Sequence, residues 1–207
     1  MSLESKNNNS KHFLLPAAFS FLVLFMAAGN NVLAADTYEI DPVHSSIGFA
    51  VKHLVVSTVK GDFTEFSGTI IADEKDLNNS SVKVAIKAPS INTSNAKRDD
   101  HLRAPDFFDV KKYPEITFTS KKVKKQGKGY VLEGTFTMHG VSKEIAIPFA
   151  IAGPVKNPWG KYVIGIEGGL TIDRRDYGLT FNKALEGGGL LIGHEVKIEL
   201  NIEAVRK

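Results

Sequence analysis

The chain of 207 residues contains no cysteine. No disulfide can therefore form, and the fold must be stable through its core alone. The same absence excludes a lipoprotein, because there is no thiol to carry an acyl chain at a cleavage site.

A strong charge of one sign and the common catalytic motifs are absent as well. The formal net charge is +3, and the densest basic run, 121–125, is typical of a solvated hairpin tip rather than of a nucleic-acid surface. There is no GxSxG, HExxH or Walker motif. No two histidines in 35–207 are two to four positions apart, so there is no local metal pair. We therefore expect no catalytic residue, no metal, no cofactor and no nucleic-acid partner.

Long apolar runs are absent except at the start of the chain. The segment from Phe13 to Ala28 is apolar apart from Pro16 and Ser20, and two lysines precede it. This order predicts a secretory signal peptide at 1–34, cleaved near Ala34 or Ala35. An uncleaved anchor is the alternative, but the run is shorter than the roughly 20 residues of a membrane-spanning helix. We expect a periplasmic or secreted, non-membrane-spanning protein with one domain, 35–207.

Apolar and polar residues alternate with period two through most of that domain. In the last such segment, for example, Val196, Ile198 and Leu200 share one face of a strand, and Lys197 and Glu199 occupy the other. Alternation of this kind indicates strands with one face in a core and one in water. Strands are predicted near 44–55, 61–72, 81–88, 115–124, 129–138, 142–151, 161–172 and 193–205. Eight antiparallel strands joined mainly by hairpins form a sandwich or a barrel.

Glycines inside the strands favour the barrel. Gly134 lies on the same apolar face as Phe136 and Met138, and Gly168 and Gly169 interrupt a later strand. Interior glycine is expected where a sheet bends sharply or where a ligand needs room. Both alternatives are compatible with a barrel.

The long insertion between two strands, 91–120, predicts a structure at one rim. Thr93 or Ser94 is a suitable cap for a short helix at 94–103, which Pro105 ends. Insertions of this length usually cap or gate a site. An eight-stranded barrel is either filled by its own side chains or holds one small ligand. From the residues alone, mutual packing of the phenylalanines is the better-supported alternative.

Five segments resemble the YceI-like family of exported bacterial proteins that bind polyisoprenoids and related lipids. They are YEIDPVHSSIGFAVKH (38–53), VKGDFTEFSGTI (59–70), INTSNAKRDDHLRAPDFFDVKKYPEITFTS (91–120), NPWG (157–160) and DRRDYGL (173–179). The resemblance implies an all-β fold, an extended lipocalin-like antiparallel eight-stranded β-barrel with a hollow lumen. It also implies a long isoprenoid ligand, such as a polyprenyl quinone, or a fatty-acid amide as in some relatives. Members are often homodimers and have no established catalytic activity.

Alternation and position in these motifs together predict the residues that line the lumen. They are Phe49, Val51, His53, Phe63, Phe66, Leu102, Phe107, Phe108, Phe118, Phe136, Met138 and Trp159. His53 either meets a ligand oxygen or is a satisfied core histidine. Trp159 either borders an opening or anchors a turn.

The leading hypothesis is a carrier that sequesters one long-chain isoprenoid or fatty amphiphile for transport, storage or stress protection. Its tail is expected in the lumen and its head near the helix-bearing rim. A second hypothesis is an enzyme that acts on an apolar substrate through His53 or His101. A third is an envelope module that contacts another protein through a strand edge or loop.

Overall fold

The computed structural model describes residues 1–2, 35–73, 75–184 and 188–207. The predicted signal peptide lies almost wholly outside these residues. Within them, the chain forms eleven strands and one α-helix. These are β1 (Asp36–Ile40), β2 (Ser46–His53), β3 (Ser57–Phe63), β4 (Phe66–Ala72), β5 (Ser81–Lys87), β6 (Ile91–Asn92), α1 (Ala96–Arg103), β7 (Glu115–Gln126), β8 (Gly129–Met138), β9 (Val141–Lys156), β10 (Tyr162–Asp173) and β11 (Ile192–Arg206).

Eight antiparallel wall strands close into a barrel. β1 with β2, β3 with β4, and β5 with β6 are each one wall strand divided by a short break, and β7 to β11 are continuous. The ring closes at β11, which pairs with β10 along one edge and with both β1 and β2 along the other. The predicted eight-stranded antiparallel barrel is confirmed. β11 has 15 residues, about 50 Å at 3.3 Å per residue, so the barrel is elongated.

The seam that closes the ring joins two segments that are distant in sequence. Tyr38 pairs with Arg206 and Ile40 with Ala204, and the Lys207 N–H donates to the Thr37 carbonyl at 2.9 Å. Alternation in β1 puts Tyr38 and Ile40 in the core. β1 was not predicted from the sequence, because alternation over a five-residue strand marks only two inward positions and gives too weak a pattern.

At two of the three breaks, hydrogen bonds outside the regular ladder hold the divided wall strand together. Between β1 and β2, the Asp41 N–H donates to the Glu203 carbonyl at 2.9 Å, and the Glu203 N–H donates to Ser45 Oγ at 2.9 Å. Between β3 and β4, the Glu65 N–H donates to Oγ of the buried Ser90 at 3.1 Å. The predicted strand at 61–72 is therefore two strands, and side chains supply the hydrogen bonds that the ladder loses.

The two ends of the barrel differ in what covers them. At the helix end lie α1, the β2–β3 turn, the 3₁₀ turn Arg174–Tyr177 and the start of β11. At the hairpin end lie the β7–β8 and β9–β10 turns and the 3₁₀ turn Leu77–Asn79.

The predicted helix is confirmed, but its N-cap is Asn95 rather than Thr93 or Ser94. Asn95 Oδ1 accepts a hydrogen bond from the Arg98 N–H at 3.0 Å. Ser94 has φ 58°, outside the usual range for a capping residue. Thr93 instead donates through its hydroxyl to Asp99, whose side chain is buried. These bonds hold the first turn of α1 against the preceding loop.

The strand glycines let neighbouring backbone and side-chain atoms of the wall pack closely; they do not make room for a ligand. A Cβ atom on Gly134 would lie 2.7 Å from the ring of Phe118, and one on Gly168 would lie 2.9 Å from the Pro148 carbonyl. β7 also has a register shift opposite Gly134, between Ser120 and Lys122. Of the two alternatives, curvature and close approach account for these glycines.

Candidate ligand-binding cavity

The barrel is hollow. Its lumen is a cavity of about 870 Å³, within the range of small-molecule binding sites. Residues from every wall strand contribute to its lining, and most of them are Ile, Val, Leu, Phe or Met. The lining therefore offers dispersion contacts and few hydrogen bonds to whatever occupies it.

Incomplete burial of inward-facing side chains shows that the opposite walls of the lumen do not touch. Val196, Ile198 and Leu200 on β11 line the cavity, and none of them is fully buried. They alternate with the exposed Lys197 and Glu199, so they point into the barrel. In a filled barrel these aliphatic side chains would be buried by residues from the opposite wall. The packed-core alternative is therefore wrong for this part of the lumen.

Phenylalanine rings pack together at the helix end without filling the barrel. Phe63 contacts Phe49 and Phe108, with ring centroids 6.0 and 5.9 Å apart. Phe181 contacts His101 and Phe107 at 5.1 and 5.0 Å. Such tilted and edge-to-face pairs are favourable aromatic geometries. Mutual packing of phenylalanines thus forms one end of the cavity and leaves the rest empty.

Hydrogen bonds from arginine fix the helix and loop that carry this aromatic cluster. Arg103 donates to the Pro89 carbonyl through Nε and to the Ile91 carbonyl through Nη2, both at 2.8 Å. Arg98 donates to Thr93 Oγ1 at 2.7 Å and to the Thr93 carbonyl at 2.9 Å. Both arginines therefore tie α1 to the segment that follows β5, which sets the position of Leu102 and Phe108 at the end of the lumen.

Arg174 is a buried cation on the cavity wall. Its side chain is 4% exposed, and Nε donates to the Gly193 carbonyl at 2.9 Å while Nη1 and Nη2 donate to the Leu179 and Ile192 carbonyls. Burial lowers the pKa of its guanidinium from the ordinary value. Three backbone carbonyls thus hold a positive charge beside the lumen and join β11 to the loop after β10.

Ten of the twelve predicted lumen residues lie on the cavity wall. They are Phe49, Val51, His53, Leu102, Phe63, Phe107, Phe108, Phe118, Phe136 and Met138. The structure brings those from β2, β3 and the helix-bearing insertion together at the helix end. That they contact a ligand stays a prediction.

Placing Phe66 and Trp159 in the lumen is wrong. Trp159 is 83% exposed, and its backbone N–H donates to Asn157 Oδ1 at 3.1 Å in the β9–β10 turn. Trp159 therefore belongs to a turn. Phe66 lies directly after the break between β3 and β4. It pairs with Ile86 and packs against the core without reaching the cavity.

Several polar residues that line the cavity were not predicted from the sequence as lining residues, namely Arg98, His101, Arg174 and Lys183. Of these, only His101 had been named, as a residue of the enzyme hypothesis. For Arg174 a signal existed: Leu170 and Ile172 line the cavity, and the same parity continues to position 174. Lys183 and Arg98 lie in a loop and on a short polar helix, where alternation gives no information. Their position depends on tertiary structure alone.

One three-residue cluster outside the cavity has side chains of metal-binding type. Asp41, His44 and Glu203 place their ligand atoms within 4.8 Å of one another, and no other such group occurs among the described residues. His44 Nδ1 lies 2.8 Å from Asp41 Oδ2, and this hydrogen bond raises the pKa of His44. Asp41 also accepts from the Val43 N–H at 2.9 Å. These bonds account for the cluster as a turn between β1 and β2.

No α-helix in the described part of the chain is long and apolar enough to cross a membrane.

The family model of the YceI-like domain matches residues 38–204. A UPF0312 protein of Yersinia enterocolitica is 35% identical over 183 residues, which are 88% of this chain and 92% of that protein. The crystal structure of the Campylobacter jejuni YCEI protein has 36% identity and a TM-score of 0.64, covering 75% of this chain and 90% of that one. A polyisoprenoid-binding domain from Saccharophagus degradans, implicated in plant cell wall breakdown, shares the fold. Its TM-score is 0.60 and its identity 17%, over 82% of this chain and 98% of that one.

Proposed function

The chain belongs to the YceI-like domain family, and from this we propose that it is a non-enzymatic binding protein whose lumen holds one long-chain isoprenoid or related lipid. The single observation that carries the proposal is the open, apolar lumen of about 870 Å³ inside a closed wall. A solved domain of the same fold is described as polyisoprenoid-binding, which supports the choice of ligand class.

Burial of an apolar chain is sufficient to drive binding in such a cavity. Each methylene transferred from water contributes roughly 0.8 kcal/mol. Ten methylenes along the lumen contribute about 8 kcal/mol before the cost of association is subtracted. An extended tail fits an elongated barrel, and the polar groups at the helix end are where a head group meets hydrogen-bond donors.

We further propose that the protein acts after export, with residues 1–34 removed. The N-terminal sequence order described above supports this location. N-terminal sequencing of the protein recovered from the periplasm or the medium tests it directly. Recovery of a full-length chain in the cytoplasm would contradict it.

Filling the lumen tests the binding function. Ile198 faces the cavity from the middle of β11, so Ile198→Trp is expected to weaken binding of geranylgeraniol at least about tenfold, which corresponds to 1.4 kcal/mol. Displacement of a fluorescent fatty probe measures this affinity. Native mass spectrometry after expression with the signal peptide identifies any lipid that copurifies.

Asn201→Trp is the matched control, because Asn201 is exposed on the same strand. Both variants are expected to unfold cooperatively near the wild-type temperature. The proposal is contradicted if the wild-type protein binds neither geranylgeraniol nor the probe. It is also contradicted if Ile198→Trp binds both as tightly as Asn201→Trp does. Chemical turnover of the ligand would favour an enzyme instead.

A further inference from the structure

The polar groups that line the lumen are strongly biased in charge. Among the described residues of the lining, five residues with basic nitrogen and one carboxylate, Asp73, have side chains toward the lumen. The basic residues are His53, Arg98, His101, Arg174 and Lys183. Lys52 alternates with Val51 and His53 on β2, so its side chain lies on the outer face, where it borders a second pocket with Asp173 and Glu195. A lipid carrier that recognised only the tail would not need this bias.

The basic residues lie together at the helix end. His53 pairs with Ile192 at the start of β11, and Arg174 donates to the carbonyl of the next residue, Gly193. The Lys183 carbonyl accepts from the Leu191 N–H at 3.0 Å. His101 reaches the same place from α1, since its ring lies 5.1 Å from that of Phe181.

The one carboxylate lies at the other end. Asp73 directly follows Ala72, which pairs with Asp36 at the start of β1. Asp36 in turn forms an ion pair with Arg206, the last residue of β11. The length of β11, about 50 Å, therefore separates Asp73 from Gly193 and its neighbours. At that distance Asp73 is far beyond the Debye length of about 8 Å and does not neutralise the basic residues.

Three of the cations, Arg98, Arg174 and Lys183, form no ion pair within 4.0 Å among the described residues. The nearby Asp173 carboxylate acts on Arg174 electrostatically and offsets part of its charge. His101 differs, because its Nε2 lies 3.3 Å from Asp106. Positive charges that line a cavity with apolar, low-dielectric walls create a potential that attracts negative charge. Arg174 contributes most strongly, since it is the buried one.

The arginines also keep donors that form no hydrogen bond with the described part of the chain. A guanidinium has five N–H groups. Arg174 donates three hydrogen bonds, to the carbonyls of residues 179, 192 and 193, which leaves two N–H groups. Arg98 donates two, both to Thr93, which leaves three. Charge-assisted hydrogen bonds to a carboxylate or phosphate are about twice as strong as neutral ones.

We propose that the helix end is a subsite for an anionic head group, a carboxylate or a phosphate ester, on the long apolar chain that occupies the lumen. This inference rests on the proposed binding function and specifies its ligand class. Arg174 and Lys183 are the residues that select for the charge, and Arg98 adds donors from α1. The tail then extends toward the hairpin end.

Four probes with one tail and different heads test the subsite. They are geranylgeranyl monophosphate, geranylgeranoic acid, geranylgeraniol and geranylgeranylamine, each measured by displacement of a fluorescent fatty probe. The phosphate and the acid are expected to bind about tenfold more tightly than the alcohol, and the amine more weakly than the alcohol. The order of phosphate and acid identifies which anion the site prefers. Added salt is expected to reduce the preference for anions.

Variants connect the preference to the named residues. Lys183→Gln is expected to reduce the preference for acid over alcohol from about tenfold to about threefold. Lys183 is exposed, so the fold is not at risk. Lys52→Gln removes an exposed lysine on the outer face of β2 at the same end and serves as the matched control.

The outcomes separate this inference from the function it rests on. Equal affinity for all four heads overturns the anionic subsite and leaves lipid binding intact. A loss of preference that is as large in Lys52→Gln as in Lys183→Gln overturns the assignment of residues. Failure of every probe to bind overturns the proposed binding function itself.

Discussion

At the helix end of the barrel, an α-helix, a cluster of aromatic rings and several cations surround the lumen, whereas at the hairpin end the same wall strands finish in simple turns. The aromatic contacts at the hairpin end belong to the wall: Tyr130 stacks on Phe149 at 5.4 Å, and Arg206 lies over the ring of Tyr162 at 5.6 Å. The two ends thus share a wall but differ in charge and in covering.

This difference gives the lumen a direction. A uniform apolar tube would bind a lipid equally well in either orientation, because its two ends would offer the head group the same environment. With donors and positive charge at one end, the two orientations differ in energy by the strength of the head-group interactions. Arg174 serves both the wall and the proposed head-group subsite, whereas the exposed Lys183 serves only the second, so a substitution at Lys183 separates the two.

The largest effect is expected at the helix end from Arg174→Met. The change leaves the carbonyls of Leu179 and Gly193 without the Arg174 donor, whereas the Ile192 carbonyl keeps a hydrogen bond from Asn182 Nδ2 at 2.7 Å. Because unsatisfied buried acceptors are costly, we expect a loss of about 3 kcal/mol in the free energy of unfolding, measured with urea. Arg175→Gln, at an exposed arginine one position later, should cost far less. Equal stability of the two variants would show that Arg174 does not join β11 to the loop.

One substitution in a turn at each end should change the free energy of unfolding by about 1 kcal/mol. Leu54 and Val55 in the β2–β3 turn have φ of 52° and 64°, a region that favours glycine or asparagine. Val55→Gly is expected to stabilise the protein by about 0.5 kcal/mol, after the greater entropy of the unfolded glycine is subtracted. Thermal unfolding measures the change.

Gly127 in the β7–β8 turn is the reverse case. It has φ 58°, and a Cβ there would contact nothing within 4 Å. Gly127→Val therefore tests the backbone alone and is expected to destabilise by about 1–2 kcal/mol. A stabilising Gly127→Val or a destabilising Val55→Gly would contradict the account of these turns.

The smallest effects concern acid stability at the two ends. Hydrogen bonds from Arg175 lower the pKa of Asp173 to about 2, from 3.8. A lowered pKa means that the ion pair stabilises the fold fully above pH 3.8 and that this contribution is lost as the pH falls toward 2. The difference in melting temperature between wild type and Asp173→Asn should therefore shrink between pH 4 and pH 2. An exposed pair of this kind contributes less than 1 kcal/mol.

Glu39 provides the comparison at the hairpin end. A hydrogen bond from Lys207, and then one from Thr69, lowers its pKa from 4.5. The effect of Glu39→Gln on the melting temperature should likewise be present above pH 4.5 and decrease as the solution becomes more acidic. If neither variant changes the acid dependence of unfolding, these carboxylates are not linked to folding.

The wall could be predicted from sequence because its information is local. Alternation along β11, for example, states which residues face inward, and the structure places Val196, Ile198 and Leu200 there. Alternation fails where a strand breaks. Phe63 and Phe66 are three positions apart, so on one continuous strand their side chains would lie on opposite faces. The break between β3 and β4 interrupts the alternation, and the position of the Phe66 ring does not follow from it.

The charged part of the site could not be predicted in this way. Lys183 and Arg98 come from a loop and from α1, distant in sequence, and meet only after the barrel has formed. The openness of the lumen was equally inaccessible, since a list of inward apolar residues does not state whether opposite walls touch. The family resemblance supplied that expectation, and the partial burial of Ile198 and its neighbours supports it.

The seam between β1 and β11 determines the order in which the protein can fold. Ile40 and Ala204 meet across it although about 160 residues of chain separate them. Until residue 204 is available for pairing, the strands can form only an open sheet with two free edges, which are prone to pair with other chains. Ring closure is consequently the latest step and, as a contact of very high sequence separation, a slow one.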